Sequence, residues 1–142
     1  MKLLIDTNVI LDVLLQREPF CNSAEKILSL PKESGIEKYF SASAVTDVYY
    51  IAYRQIKNRE VVRTLLGKVL KTVKIATVTS KDIHKAFDLN WKDFEDSVQY
   101  AVATSNNFDG IVTRNMQGFD GDEVKIFTPE EICKYVEENL KE

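Results

Sequence analysis

Apolar and polar positions along the chain follow two periods, and the period switches at short intervals. Residues 2–6 (KLLID) form an apolar run that ends on an acid, the pattern of a buried strand. From Thr7 onward, Val9, Ile10, Val13 and Leu14 recur at helical spacing. Residues 21–30 (CNSAEKILSL) predict a second short helix, stopped by Pro31, and KESG at 32–35 predicts a turn. Residues 38–41 (KYFS) predict a second strand. Ala44, Val45, Val48, Ile51 and Ala52 then form an apolar stripe on a helix, and residues 60–70 predict another helix. A third strand is expected at 73–78 (VKIATV), with Ser80 as the N-cap of the helix behind it. Asp93 opens a helix with Phe94, Val98, Ala101, Val102 and Ser105 on one face. GIVT at 110–113 and VKIF at 124–127 predict strands four and five. Thr128, Pro129 and Glu131 give a cap, a first-turn proline and an acid, which predicts a final helix.

Strands thus alternate with helices, which argues for a parallel sheet with helices on both faces. No repeat, linker or low-complexity tract interrupts the pattern, so one domain over residues 1–142 is expected. A hydrophobic content of 44% is enough to build a real core at this length. No apolar run approaches membrane-crossing length, and the N-terminal apolar stretch is broken by Asp6 and Asp12, unlike a signal peptide. A cytoplasmic protein without membrane contact is expected.

The remaining composition narrows the chemistry. The two cysteines, Cys21 and Cys133, form no CxxC pair and read as reduced thiols. With one histidine, His84, there is no zinc site and no catalytic triad. Metal chemistry must then come from carboxylates, which favours a hard cation. The net charge of −3 does not advertise a nucleic-acid binder, but the distribution is uneven. Arg54, Lys57, Arg59 and Arg63 begin a basic segment that runs to Lys74, opposed only by Glu60. It reads either as a solvated helix face or as a surface that tracks phosphates. Tyr50 and Tyr53 share one side of a helix and read as a core or dimer contact, or as a stacking surface for bases.

In open parallel sheets ligands bind at the carboxyl ends of the strands. Asp6 ends the first strand. Asp47 lies in the first turns of the helix after the second, and Asp96 in the first turn of the helix opened by Asp93. Thr113 ends the fourth strand, followed by Arg114, Asn115 and a loop holding Asp120 and Asp122. These groups are expected at one edge of the sheet. Asp93 and Asp96 also fit a helix cap, and Asp12 reads as a helix residue at the mouth of the cleft or as solvated. Asp6 is different, because a carboxylate closing an apolar strand is costly unless something binds it. A divalent cation would neutralise such a cluster, and with it phosphodiester hydrolysis needs no histidine or cysteine. Asn8 would orient Asp6 or simply begin the helix.

Four segments together resemble the PIN-domain family. They are DTNVILD from Asp6 to Asp12, SASAVTD from Ser41 to Asp47, DFEDSVQ from Asp93 to Gln99, and IVTRN from Ile111 to Asn115. The resemblance implies a three-layer α/β/α fold with a mainly parallel central sheet. It also implies a Mg²⁺- or Mn²⁺-dependent ribonuclease acting on single-stranded RNA, of the kind found in VapC-like toxins, with a homodimer and an antitoxin partner. It maps Asp6, Asp47 and Asp96 onto metal-binding catalytic positions. Asp93 is a helper ligand, and Asn8, Thr113, Asn115 and Asp120 are polar neighbours. Two positions depart from the pattern: Asp47 stands where Glu is usual, and Gly118 stands before Phe119 where relatives often carry Asp. An alternative therefore stays open, a catalytically weak or inactive PIN-like module that binds RNA or a protein. A hydrolase of small phosphate esters lacks a phosphate-cradling glycine loop, since the five glycines are scattered.

Overall fold

The computed structural model describes residues 1–140; residues 141–142 of the single domain expected from the sequence lie outside the described residues. Five strands and seven α-helices alternate as expected: β1 (Lys2–Ile5), α1 (Thr7–Leu14), α2 (Cys21–Leu28), β2 (Glu37–Ser41), α3 (Ala42–Ile56), α4 (Arg59–Leu70), β3 (Lys74–Ala76), α5 (Ser80–Leu89), α6 (Phe94–Ser105), β4 (Gly110–Val112), β5 (Lys125–Phe127) and α7 (Pro129–Leu140). All strand pairs are parallel, in the order β3-β2-β1-β4-β5.

Side chains explain where the helices start. Asp6 accepts from the Thr7 amide at the head of α1, and Ser41 from the Ala44 amide at the head of α3. The cap of α5 is Thr79, in a reciprocal pair with Asp82, whereas the sequence pointed to Ser80, which is the first helical residue. Thr128 and Glu131 bond reciprocally ahead of α7. α2 ends two residues before the expected Leu30. There the buried Lys38 ammonium donates to the Leu28 carbonyl and, at 3.3 Å, to the Leu30 carbonyl, satisfying helix-end acceptors that would otherwise lack partners.

β1 is covered on both faces. Leu3 and Ile5 join Val9, Ile27, Val48, Val62 and Ile132 in one core, beneath helices α1 to α4 and α7. Leu4 points the other way, into a second core with Ala86, Val98, Ala101 and Ile111 under α5 and α6. This is the three-layer α/β/α sandwich that the sequence resemblance implied, and it explains why β1 reads as a continuous apolar run rather than an alternating one. From β1 the chain winds outward through β2 to β3, then crosses back through α5 and α6 to place β4 on the opposite side of β1. The reversal creates a crevice at the carboxyl ends of β1 and β4. No helix among the described residues is long and apolar enough to cross a membrane.

Candidate active site

Asp6 occupies that crevice. It follows β1, its amide donates to the Val112 carbonyl of β4 at 2.9 Å, and its carboxylate is 3% exposed. One carboxylate oxygen accepts from the Thr7 amide at 2.8 Å, and the other from the Thr113 hydroxyl at 2.8 Å. The Thr113 hydroxyl accepts in turn from Asn8 Nδ2 at 3.2 Å and from the Asn115 amide at 3.1 Å. A hydroxyl has one proton and two lone pairs. With both acceptor positions taken, its proton is committed to Asp6. Asn8 also accepts from the Arg114 amide at 3.5 Å, so the segment after β4 is tied to the head of α1.

The start of α6 faces Asp6. Asp93 caps this helix by accepting from the Asp96 amide at 3.2 Å, so Asp93 has the capping role among those weighed from the sequence. Glu95 and Asp96 follow in the first turn. Oxygens of Asp6, Glu95 and Asp96 lie within 4.8 Å of one another. Glu95 is the member that the sequence reading missed. Its Oε1 accepts from the Thr7 hydroxyl at 2.5 Å and from Gln99 Nε2 at 3.1 Å. The available signal was Gln99 itself, a polar residue one helical turn beyond Glu95 amid the apolar positions of α6, where it is buried and bonds both Glu95 and the Thr7 hydroxyl.

Crowding these acids in a buried crevice disfavours their charged forms. Burial first, then the Glu95 charge, pushes the Asp6 carboxyl up to about 7, against the lowering effect of its bonds to Thr113 and Thr7. Burial first, then the charges of Asp6, Asp93 and Glu95, pushes Asp96 up to about 8. No lysine or arginine forms a salt bridge to the trio among the described residues. All the donors are carboxylate oxygens, the set preferred by hard divalent cations. Behind Glu95, Gln99 Oε1 is buried without a hydrogen-bond partner, a second sign that the polar groups here are not closed among themselves. The trio therefore fits a divalent cation.

The trio opens into a cleft of about 1240 Å³, lined by Asn90, Trp91, Asp93, Phe94, Glu95, Asp96, Asn115, Gln117, Gly118 and Asp120. Gly118 matters for its missing side chain. A Cβ built there would stand 2.4 Å from an Asp96 carboxylate oxygen. Asp120 lies exposed on the cleft wall and is not one of the trio.

The other expected residues lie elsewhere. Asp47 is exposed on α3 and is outside the trio. Arg54, Lys57, Arg59 and Arg63 are exposed around the α3–α4 junction and form no salt bridge among the described residues. Tyr50 and Tyr53 are exposed and flank Tyr49, so they are not core residues. Asp12 is a helix residue of α1, as expected, and is not solvated. It is buried and held by the Arg114 guanidinium, through Nε at 2.8 Å and Nη2 at 3.1 Å. Cys21 and Cys133 are both free, and His84 is exposed.

The match to a family model described as PIN domain runs over residues 2–117, from β1 through the loop that carries Gly118's neighbours. The chain is 23% identical over 138 residues to Ribonuclease VapC1 of Aquifex aeolicus (strain VF5), a similarity that covers 94% of each protein. Among solved structures, VapBC2 from Rickettsia felis, bound to a DNA fragment from their promoter, is similar at a TM-score of 0.70 and 14% identity, over 90% of this chain and 98% of that one. A toxin–antitoxin complex from Klebsiella pneumoniae is similar at a TM-score of 0.63 and 21% identity, over 89% and 96% of the two chains. The parallel sheet, the acidic crevice at its switch point and the extent of the family match lead to one assignment: this chain belongs to the PIN domain family.

Proposed function

We propose that the chain is a metal-dependent endoribonuclease that hydrolyses phosphodiester bonds of single-stranded RNA, and that it acts as the toxin of a toxin–antitoxin pair. The observation that carries this reading is the convergence of Asp6, Glu95 and Asp96 with no salt bridge to balance them among the described residues. Similarity to Ribonuclease VapC1 along nearly the whole chain supports the nuclease assignment. Similarity to a toxin–antitoxin complex supports an antitoxin partner.

Asp6, Glu95 and Asp96 would hold the cation, Mg²⁺ or Mn²⁺, with Asp93 beside them. When bound, such a cation neutralises charge on a phosphate and lowers the pKa of a water. The chain's own residues do the rest. Thr113 and the Thr7 amide fix both oxygens of Asp6, while the Thr7 hydroxyl and Gln99 fix Glu95. Gly118 leaves room for the Asp96 carboxylate. Asn8 and Asn115 act on Asp6 through the Thr113 hydroxyl. Asp120 and the cleft amides face the substrate. Asp47, exposed on α3, contributes only through water, and Arg54, Lys57, Arg59 and Arg63 guide the RNA backbone. A homodimer and a cytoplasmic location complete the proposal.

The test is cleavage of a mixed-sequence single-stranded RNA with Mn²⁺, with Mg²⁺ and with EDTA, for the wild type beside Asp6→Asn. Metal-dependent cutting that disappears in the variant is expected. A pure wild type that cuts nothing while still binding metal or RNA would replace the nuclease with a binding module.

A further inference from the structure

Phe94 opens α6 between two acids, Asp93 and Glu95, yet its ring is 47% exposed. It lines the same cleft as Asp96, Asn90, Asn115 and Gln117. Phe87 of α5 is 75% exposed and meets it edge to face, with ring centroids 6.4 Å apart. Two phenyl rings in contact and left in water beside a polar cleft offer an aromatic surface that a ligand could cover.

The surroundings select that ligand. Asp93, Glu95, Asp96 and Asp120 make the cleft too polar for a purely apolar partner, and an anionic strand would approach them with a divalent cation held between. Asn90, Asn115 and Gln117 each carry both a donor and an acceptor, which suits the edge of a heterocycle. Lys92 adds one cation to the cleft wall. A nucleobase has a π-face for the ring and a polar edge for the amides, and its own phosphodiester reaches toward the carboxylates.

We infer that Phe94 is a stacking platform for a base of single-stranded RNA lying across the Asp6–Glu95–Asp96 trio, with Phe87 bracing the ring from behind. The inference rests on the nuclease reading and adds a cause for strand selectivity. Bases in a duplex have both faces covered by their neighbours, so only an unpaired nucleotide reaches Phe94 without an unstacking cost. The exposed tyrosines of α3 line no part of this cleft.

Trp91 is the only tryptophan in the chain, lines the cleft, and packs on Tyr100 with centroids 4.9 Å apart. Its fluorescence reports binding without any need for turnover. The full chain, in Ca²⁺ to slow hydrolysis, is titrated with oligoadenylate of four nucleotides and with an abasic tetramer carrying the same phosphates. The wild type is expected to bind the oligoadenylate more tightly. Phe94→Ala should lose about tenfold or more of that affinity, from the usual worth of one base–aromatic stack, with little change for the abasic tetramer. Phe94→Tyr keeps a ring and should bind like the wild type. Equal affinity of Phe94→Ala and wild type for oligoadenylate overturns the inference. So does a dimer that dissociates in Phe94→Ala with its RNA affinity unchanged, since the rings would then be covered by a second copy. The two readings fail separately. RNA cutting by a wild type whose Phe94→Ala variant binds normally removes only the stacking platform. Base-dependent binding lost in Phe94→Ala, in a protein that cuts nothing, supports the platform and removes only the nuclease.

Discussion

Asp6 and Asp12 stand on the same stretch of chain, the cap and the body of α1, and are 3% and 2% exposed. Their surroundings are opposite. Asp12 is gripped at both oxygens by Arg114, with Arg17 Nη1 a further 3.6 Å from it. Asp6 has a hydroxyl, an amide and the other acids, and it is pushed up to about 7. The fold thus brings an arginine to the acid that it buries for structure. Among the described residues it brings no salt bridge to Asp6. Adjacent residues after β4 serve both sites, Thr113 for Asp6 and Arg114 for Asp12. Burial alone does not mark a functional carboxylate. Burial without a salt-bridge partner, among other acids, is what makes Asp6 a candidate.

The sharpest way to break this contrast is a pH titration of stability in the metal-free protein. Asp6 and Asp96 ionise near 7 and 8 in the fold, against an ordinary value of 3.8. Between those limits the folded chain holds protons that the unfolded chain has released, so stability falls as pH rises from about 4 to 8. A loss on the order of 2–4 kcal/mol is expected by urea melts, smaller with Mn²⁺ present and smaller in Asp6→Asn. A flat profile would mean that the trio is not under electrostatic strain.

Asp12→Asn tests the other half and should move stability the opposite way from Asp6→Asn. Removing one partner of the pair is expected to cost about 2 kcal/mol in urea unfolding, below the range for fully buried pairs because Arg114 is partly exposed. Equal effects of the two amide substitutions would erase the distinction between the sites. Gly118→Ala then probes the trio without touching an acid. Its Cβ collides with the Asp96 carboxylate, so cleavage should fall by roughly tenfold or more while the melting curve changes little. Normal cleavage would show that Asp96 has room to move. The smallest effect is expected from Arg59→Ala with Arg63→Ala, at unpaired exposed cations far from either buried acid in character. RNA affinity should drop a few-fold, and the slope of log affinity against log salt should flatten by about 1.4 if each arginine meets one phosphate. An unchanged slope leaves that face merely solvated.

Much of this was legible in the chain. Short apolar runs and helical patterning located the strands and helices, because the central strands are buried on both faces and most helices are amphipathic. Asp6 stood out because an acid closing an apolar strand needs a reason. Asp93 and Asp96 could be placed beside it only through the switch-point rule. Glu95 escaped because it sits between two better-known acids, and its reach toward Thr7 depends on how α6 is set against α1. The Asp12 clamp escaped for the same reason, as its arginine comes from the other side of the sheet reversal. The cap at Thr79 in place of Ser80 turned on a single dihedral choice at neighbouring hydroxyls. Local pattern fixes elements, whereas partners distant in sequence are fixed only by strand order.

The hydrogen bond from Thr113 to Asp6 joins residues 107 positions apart. It forms only when β4 docks against β1, which requires nearly the whole chain to be out of the ribosome. Until then β1 has an open edge and Asp6 lacks its hydroxyl partner. For the ribonuclease proposed above, the order of the strands would delay completion of the acidic centre until β4 has been made.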